Sequence, residues 1–113
     1  MHELSLAENM VQIIEDAAVK QGFSRVKIIW MEIGQLSCVE KEALQFCFST
    51  VVDGTVAQQA TLEIIDIAGR GWCRECDCEI AITTRYDGCP ICGNYTITVI
   101  RGEEMRIKEL EVE

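Results

Sequence analysis

Trp72-Cys73-Arg74-Glu75-Cys76-Asp77 and, further on, Cys89-Pro90-Ile91-Cys92-Gly93 are the stretches on which the reading of this chain turns. Two residues stand inside each Cys-x-x-Cys pair, and 12 residues separate Cys76 from Cys89. A two-residue spacer lets one tight turn aim both sulfurs at a point, and two such turns complete a tetrahedron of thiolates. Pro90 fixes φ ahead of the turn, and Gly93 can take the positive φ after it. Asp77 holds the matching position after Cys76 and tolerates the left-handed region better than most residues. Cys73, Cys76, Cys89 and Cys92 are therefore expected to hold a structural Zn²⁺ with no open coordination position. The ion would supply folding energy to a ribbon with little core of its own. The competing reading is a pair of redox dithiols or disulfides. Cys78 is read as a spare thiol, Cys38 and Cys47 as ordinary helix-start and core residues, and Trp72 as an apolar cover for the ribbon.

Working outward, Ser5 and Glu8 have capping-box spacing ahead of Leu6, Met10, Ile13, Ile14 and Ala17, which predicts a helix from about Leu6 to Gln21, stopped by Gly22. The β-branched run Arg25 to Ile33 predicts a strand ended by Gly34. Ser37 with Glu40 is a second capping box, opening a helix that turns Leu44, Phe48, Val51 and Val52 inward and ends at Gly54. Thr61 to Ile67 reads as a strand, with Leu62 and Ile64 on one face. Gly69 and Gly71 then punctuate the chain. Inside the cysteine-rich segment Glu79 to Thr84 and Thr96 to Ile100 are strand candidates, and Met105 to Val112 is a third long one. The fold class that follows is α+β: two helices packed on a small mixed sheet, with an inserted four-cysteine zinc ribbon. The expected boundaries are 1–69 for the first part of the α+β domain, 70–101 for the ribbon, and 102–113 for a strand returning to the first sheet.

The chain has 113 residues, 49% of them apolar, enough to form a real core. Its formal net charge is −9. That argues against a nucleic-acid ribbon, since Lys and Arg neutralising phosphates supply most non-specific affinity. Four thiolates around Zn²⁺ would take the total to about −11. Arg70, Arg74 and Arg85 lie near enough in sequence to offset the site's charge or to be plain surface residues. No apolar run approaches the roughly 20 residues that span a bilayer, and the start Met1-His2-Glu3-Leu4 lacks the pattern of a signal peptide. The expected location is the cytoplasm. An odd count of 7 cysteines there favours metal over disulfides.

The chain holds a single histidine, His2. The α-amine of Met1, the His2 amide nitrogen and its imidazole can form fused chelate rings around one metal, with a fourth ligand from the Glu3 amide or carboxylate. Such nitrogen ligation suits Ni(II) or Cu(II) better than Zn(II) or Mg(II). Glu3 reads equally well as a charge favouring the positive end of the first helix.

Met1-His2-Glu3-Leu4-Ser5-Leu6, Gly34-Gln35-Leu36-Ser37-Cys38-Val39-Glu40 and the paired Cys-x-x-Cys together resemble the HypA/HybF family of hydrogenase maturation factors, which assist nickel insertion. The resemblance spans essentially the whole chain, and the opening hexapeptide leans slightly towards the HybF branch. It implies a nickel-binding domain with an inserted zinc domain, a nickel role for His2 with Glu3 beside it, and the zinc role for the four cysteines. It implies two partners, a GTP-hydrolysing nickel chaperone and the large-subunit precursor of a [NiFe] hydrogenase. Nucleic acid and membrane are not expected as partners, and a homodimer is left open. A metallochaperone, not an enzyme, is expected: no Ser/His/Asp arrangement is recognised around the single histidine at position 2, and no glycine-rich phosphate loop is present.

Overall fold

A computed structural model describes residues 2–113. Helix α1 covers Glu3–Gln21, strand β1 Val26–Gly34, a 3-10 turn Gln35–Ser37, helix α2 Lys41–Val51 and strand β2 Thr61–Ile67. Strands β3 (Arg70–Cys73), β4 (Cys78–Ala81), β5 (Ile97–Arg101) and β6 (Met105–Val112) complete the chain. Two three-stranded sheets result, ordered β2-β1-β6 and β4-β3-β5. The last strand thus returns to the first sheet, and the fold is the expected α+β class.

The elements divide between two units. One takes in the chain up to Met31 with Val39–Ile65 and Ile107–Glu113; the other takes in Glu32–Cys38 and Asp66–Arg106. In the first unit, Ala7, Met10, Val11, Ile14 and Ala18 are the buried face of α1. Their spacing follows the helical period: Met10 and Ile14 lie inside as expected, while Ala7, Val11 and Ala18 each stand one residue or more from the expected positions. Ile13, expected inside, is 59% exposed, and Leu6 and Ala17 are only half-buried. The helix also starts earlier than Ser5 suggests. His2 is the N-cap without a side-chain cap bond, and the His2 carbonyl accepts from the Leu6 amide at 3.1 Å. At the other end Gly22 has φ +76 and donates to the Ala18 carbonyl at 2.8 Å, the expected left-handed stop.

Helix α2 buries Leu44 and Phe48, and Val52 just beyond it; Val51 is half-buried. Each fully buried side chain of this size contributes about 2 kcal/mol. The Gln45 amide donates to the Leu62 carbonyl at 2.9 Å, fixing α2 to β2. No second capping box forms. The N-cap of α2 is Glu40, without a side-chain cap bond, and the Ser37 hydroxyl instead donates back to the Gly34 carbonyl at 2.7 Å.

Strand β6 runs antiparallel to β1. The Gly34 amide donates to the Glu104 carbonyl at 2.7 Å, and the Glu113 amide to the Arg25 carbonyl at 3.0 Å. The same register places Arg106 against Glu32 at 2.6 Å. Where β1 ends, backbone touches backbone. A Cβ on Gly34 would lie 1.9 Å from the Gly102 oxygen, and Gly102 itself has φ +109. Gly34→Ala is therefore expected to destabilise the protein by about 3 kcal/mol, read as a lowered denaturant midpoint; an unchanged midpoint would mean this junction is free to move.

In the second unit β3 pairs antiparallel with both β4 and β5. Gly71 and Cys73 face inward and Trp72 outward, so Trp72 (39% exposed) is not the ribbon's apolar cover. The inner side is a small cluster of Leu36, Cys73, Ile80, Ile82 and Cys89, with Cys76, Cys78, Ile97 and Val99 packed against it. Two of its five buried members are sulfur donors. Such a core cannot hold a sheet by itself.

Candidate metal centre

The hairpin β3–β4 builds one half of the cluster. Its register pairs Cys73 with Cys78, so the turn between them carries Cys76 back over the strand end. Asp77 has φ +52 and Gly93 has φ +76, the same left-handed step after the second cysteine of each pair. The two turns bring all four sulfurs within 4.8 Å of one another. Cys73 Sγ lies 3.7 Å from Cys92 Sγ, and Cys76 Sγ lies 3.8 Å from Cys89 Sγ. Neither is a bonded distance, and all seven cysteines are free thiols.

Those spacings fit the ion. A tetrahedron with Zn–S of about 2.3 Å has S–S edges of about 3.8 Å. Backbone amides also point at the sulfurs: Cys76 N at 3.5 Å from Cys73 Sγ, Ile91 N at 3.4 Å from Cys89 Sγ, and Asn94 N at 3.5 Å from Cys92 Sγ. Such donors stabilise thiolate. The Cys92 and Ile91 amides bring the Cys89 thiol down to about 7, against the opposing effect of burial. The Cys76 thiol is pushed up, first by its contact with the Cys92 thiol and then by burial. Four sulfurs this close cannot all be anionic without a cation among them. The cluster fits structural zinc.

Cys38 is exposed with φ +63, closing the Gln35–Ser37 turn, and Cys47 is half-buried. Cys78 packs on the inner cluster and stands outside the four-sulfur group. Of the arginines near the site in sequence, Arg70 pairs with Glu79 at 2.9 Å and Arg85 with Glu103; Arg74 is exposed.

The second pair of cysteines lies between β4 and β5 without a strand of its own, and side chains replace the missing ladder. Asp87 Oδ2 accepts from the Thr83 amide at 2.8 Å, the Thr83 hydroxyl at 2.7 Å and the Thr84 amide at 3.2 Å, and Asp87 Oδ1 from the Thr84 hydroxyl at 2.7 Å. These donors hold the Asp87 carboxyl well below the usual carboxylate range. Asn94 Oδ1 accepts from the Thr96 amide at 2.8 Å, and the Cys89 amide donates to the Asn94 carbonyl at 2.8 Å. Sequence reasoning missed both residues; the Thr-Thr-x-x-Asp spacing was the only local signal.

His2 is exposed and extended, with φ −89 and ψ 91. The half-buried Glu3 opens α1, and its Oε2 accepts from the Glu40 amide at 3.2 Å. That amide holds the Glu3 carboxyl below its usual range. Glu3 thus serves the start of the second helix, a partner 37 residues away that no local pattern announces. Met1, the third expected nickel ligand, lies outside the described residues. No described helix is long and apolar enough to cross a membrane.

The geometry has relatives over its full length. A family model described as hydrogenase/urease nickel incorporation, metallochaperone, hypA matches residues 1–112, and it adds urease to the hydrogenase expected from the sequence. The hydrogenase maturation factor HypA of Azotobacter chroococcum mcd 1 is 52% identical over 113 residues, covering 100% of both chains. That of Azotobacter vinelandii is 50% identical over the same span. The solution structure of the Ni metallochaperone HypA from Helicobacter pylori superposes with a TM-score of 0.73 at 25% identity, covering 99% of this chain and 97% of that one. With the family model matching residues 1–112 and relatives about 50% identical over the full chain, the chain belongs to the HypA family of nickel-incorporation metallochaperones.

Proposed function

We propose that this chain binds Ni(II) at its N-terminus and delivers it to the large-subunit precursor of a [NiFe] hydrogenase in the cytoplasm, after receiving it from a GTP-hydrolysing nickel chaperone. The match of residues 1–112 to nickel-incorporation metallochaperones carries this reading. The nickel ligands are the Met1 α-amine, the His2 amide nitrogen and imidazole, and Glu3. The zinc ligands are Cys73, Cys76, Cys89 and Cys92. No bond in the cargo is made or broken covalently, so the task is ligand exchange and not catalysis. An exposed, mostly nitrogen site can take up Ni(II) and yield it to stronger thiolate ligands. A net charge of −9 steers the chain towards basic patches on its partners.

Metal analysis of the protein before and after nickel addition tests the assignment. One tightly held zinc and one exchangeable nickel are expected. A metal-free protein whose thiols cycle between oxidised and reduced forms would replace the chaperone with a redox adaptor. Glu3→Gln separates the two tasks of Glu3, since the amide oxygen still accepts from the Glu40 amide while the ligand charge is gone. It is expected to weaken nickel binding about tenfold with little change in melting profile. Unchanged affinity by calorimetry would leave the link to α2 as Glu3's sole task.

A further inference from the structure

The two halves of the four-sulfur cluster are supported differently. Cys73 and Cys76 belong to a hairpin whose ladder runs from Arg70–Ala81 to Cys73–Cys78. Cys89 and Cys92 follow a loop, residues 82–88, that leaves the ladder at Ala81, and no strand carries the two cysteines themselves. Asn94 closes the turn after these cysteines, and ahead of them one carboxylate orders the loop. Asp87 closes the loop on itself by taking four donors from Thr83 and Thr84. The Asp87 amide reaches the Thr84 carbonyl at 3.4 Å, and the Tyr86 amide the Thr84 hydroxyl at 3.3 Å. Thr83 directly follows buried Ile82, itself tied to Gly69 through its amide at 3.1 Å, so the ring is anchored in the core on one side. On the other side it delivers Gly88 and Cys89. A Cβ on Gly88 would come within 3.1 Å of the Gly93 oxygen and 3.4 Å of the Tyr95 ring, so that step is closely packed.

We infer that Asp87 is a positioning residue for the metal centre: its carboxylate holds the Cys89–Cys92 half preformed against the hairpin half, and that loop-borne half is where the ion is released first. The inference rests on the zinc reading of the cluster. Asp87 touches no sulfur in the structure and acts through Thr83, Thr84 and the backbone they order. Charge-assisted hydrogen bonds are about twice as strong as neutral ones, so a carboxylate with four donors is the strongest local constraint on this loop. Without it the loop gains conformational freedom, and each excursion carries Cys89 away from the other three sulfurs.

The test is the rate at which a chromophoric chelator in excess strips zinc from the full-length protein. Asp87→Ala is expected to speed release about tenfold. Asp87→Asn keeps one acceptor oxygen and should fall between it and the parent. Glu75→Ala removes one negative charge beside the other cysteine pair, where the carboxylate is exposed, and is expected to leave the rate unchanged. Thr83→Val removes one donor without touching the carboxylate, should speed release severalfold, and serves if Asp87→Ala does not fold. A parental rate in Asp87→Ala or Thr83→Val, or equal acceleration by Glu75→Ala, overturns the inference, the last because charge alone would then explain it. Absence of stoichiometric zinc in the parent protein would remove the zinc reading and this inference with it. Unchanged release from a zinc-loaded parent and variant sinks the inference alone.

Discussion

Replacing Cys73 with Ala is expected to empty the zinc site and unfold the segment from about Trp72 to Gly93, while helices α1 and α2 stay formed. Cys73 is 0% exposed and sits in the inner cluster, so its loss removes a ligand and part of the core together. Structural zinc contributes about 10–16 kcal/mol of binding free energy, comparable to the whole stability of a small domain. Leu36, Ile80 and Ile82 remain as the buried apolar contribution, about 2 kcal/mol each. Ordering the cysteine-rich segment costs at least about 1 kcal/mol per residue. The balance therefore turns against the ribbon once the ion is gone. The buried face of α1 and the Leu44 and Phe48 of α2 belong to the other unit. Metal stoichiometry with backbone amide spectra would check this: zinc should fall to near zero, and ribbon amides should collapse to disordered shifts while helical signals persist. Stoichiometric zinc with an unchanged ribbon would disprove the four-cysteine assignment. Cys92→Ala, which removes an exposed ligand, should behave alike and shows that the metal, more than the core, is responsible.

What the sequence disclosed best was chemistry confined to a few neighbouring residues. The cysteine spacing, Asp77 and Gly93 at left-handed φ, and the stop at Gly22 are local and came out in the structure as read. Errors arose where distant residues decide. Ser5 and Ser37 carry capping-box spacing, yet α1 starts at Glu3, its first turn closed by the Leu6 amide on the His2 carbonyl and the Glu3 carboxylate engaged by the distant Glu40 amide. Ser37 turns back to Gly34 where the chain passes against Gly102. Met10 and Ile14 of the α1 stripe lie inside as read, but Ala7 and Ala18 are small and Ile13 is large, so hydrophobicity pointed at the wrong neighbours for the rest of the stripe. Strand β3 went unread because Gly69 and Gly71 look like loop punctuation. Gly71 is instead buried in the strand, where a Cβ would come within 2.5 Å of the Ile97 side chain. The same lesson applies to Asp87, whose importance lies in which donors it meets.

His2→Ala should abolish specific nickel binding with zinc content and melting profile nearly unchanged. The side chain is exposed beyond the first turn of α1, so its removal costs little packing. It is also the chain's one imidazole, and no other side chain offers the same nitrogen. Two companion measurements separate the imidazole from the amine proposed beside it. A few residues added ahead of Met1 leave His2 intact but turn the amine into a poorly coordinating peptide amide; nickel binding should weaken severely, whereas a C-terminal tag should be harmless. Imidazole and amine nitrogens bind metal only after losing their protons, so affinity should fall as pH drops from about 8 to about 6. The zinc, held by four thiolates with amide donors, should stay in place over that range. Calorimetry on the parent, His2→Ala, N-terminally extended and C-terminally tagged proteins at both pH values distinguishes the cases. Equal affinity in extended and parent proteins would leave His2 acting with side chains alone. Undiminished affinity in His2→Ala would move the nickel site elsewhere, with Cys38, Cys47 and Cys78 the free thiols to examine next.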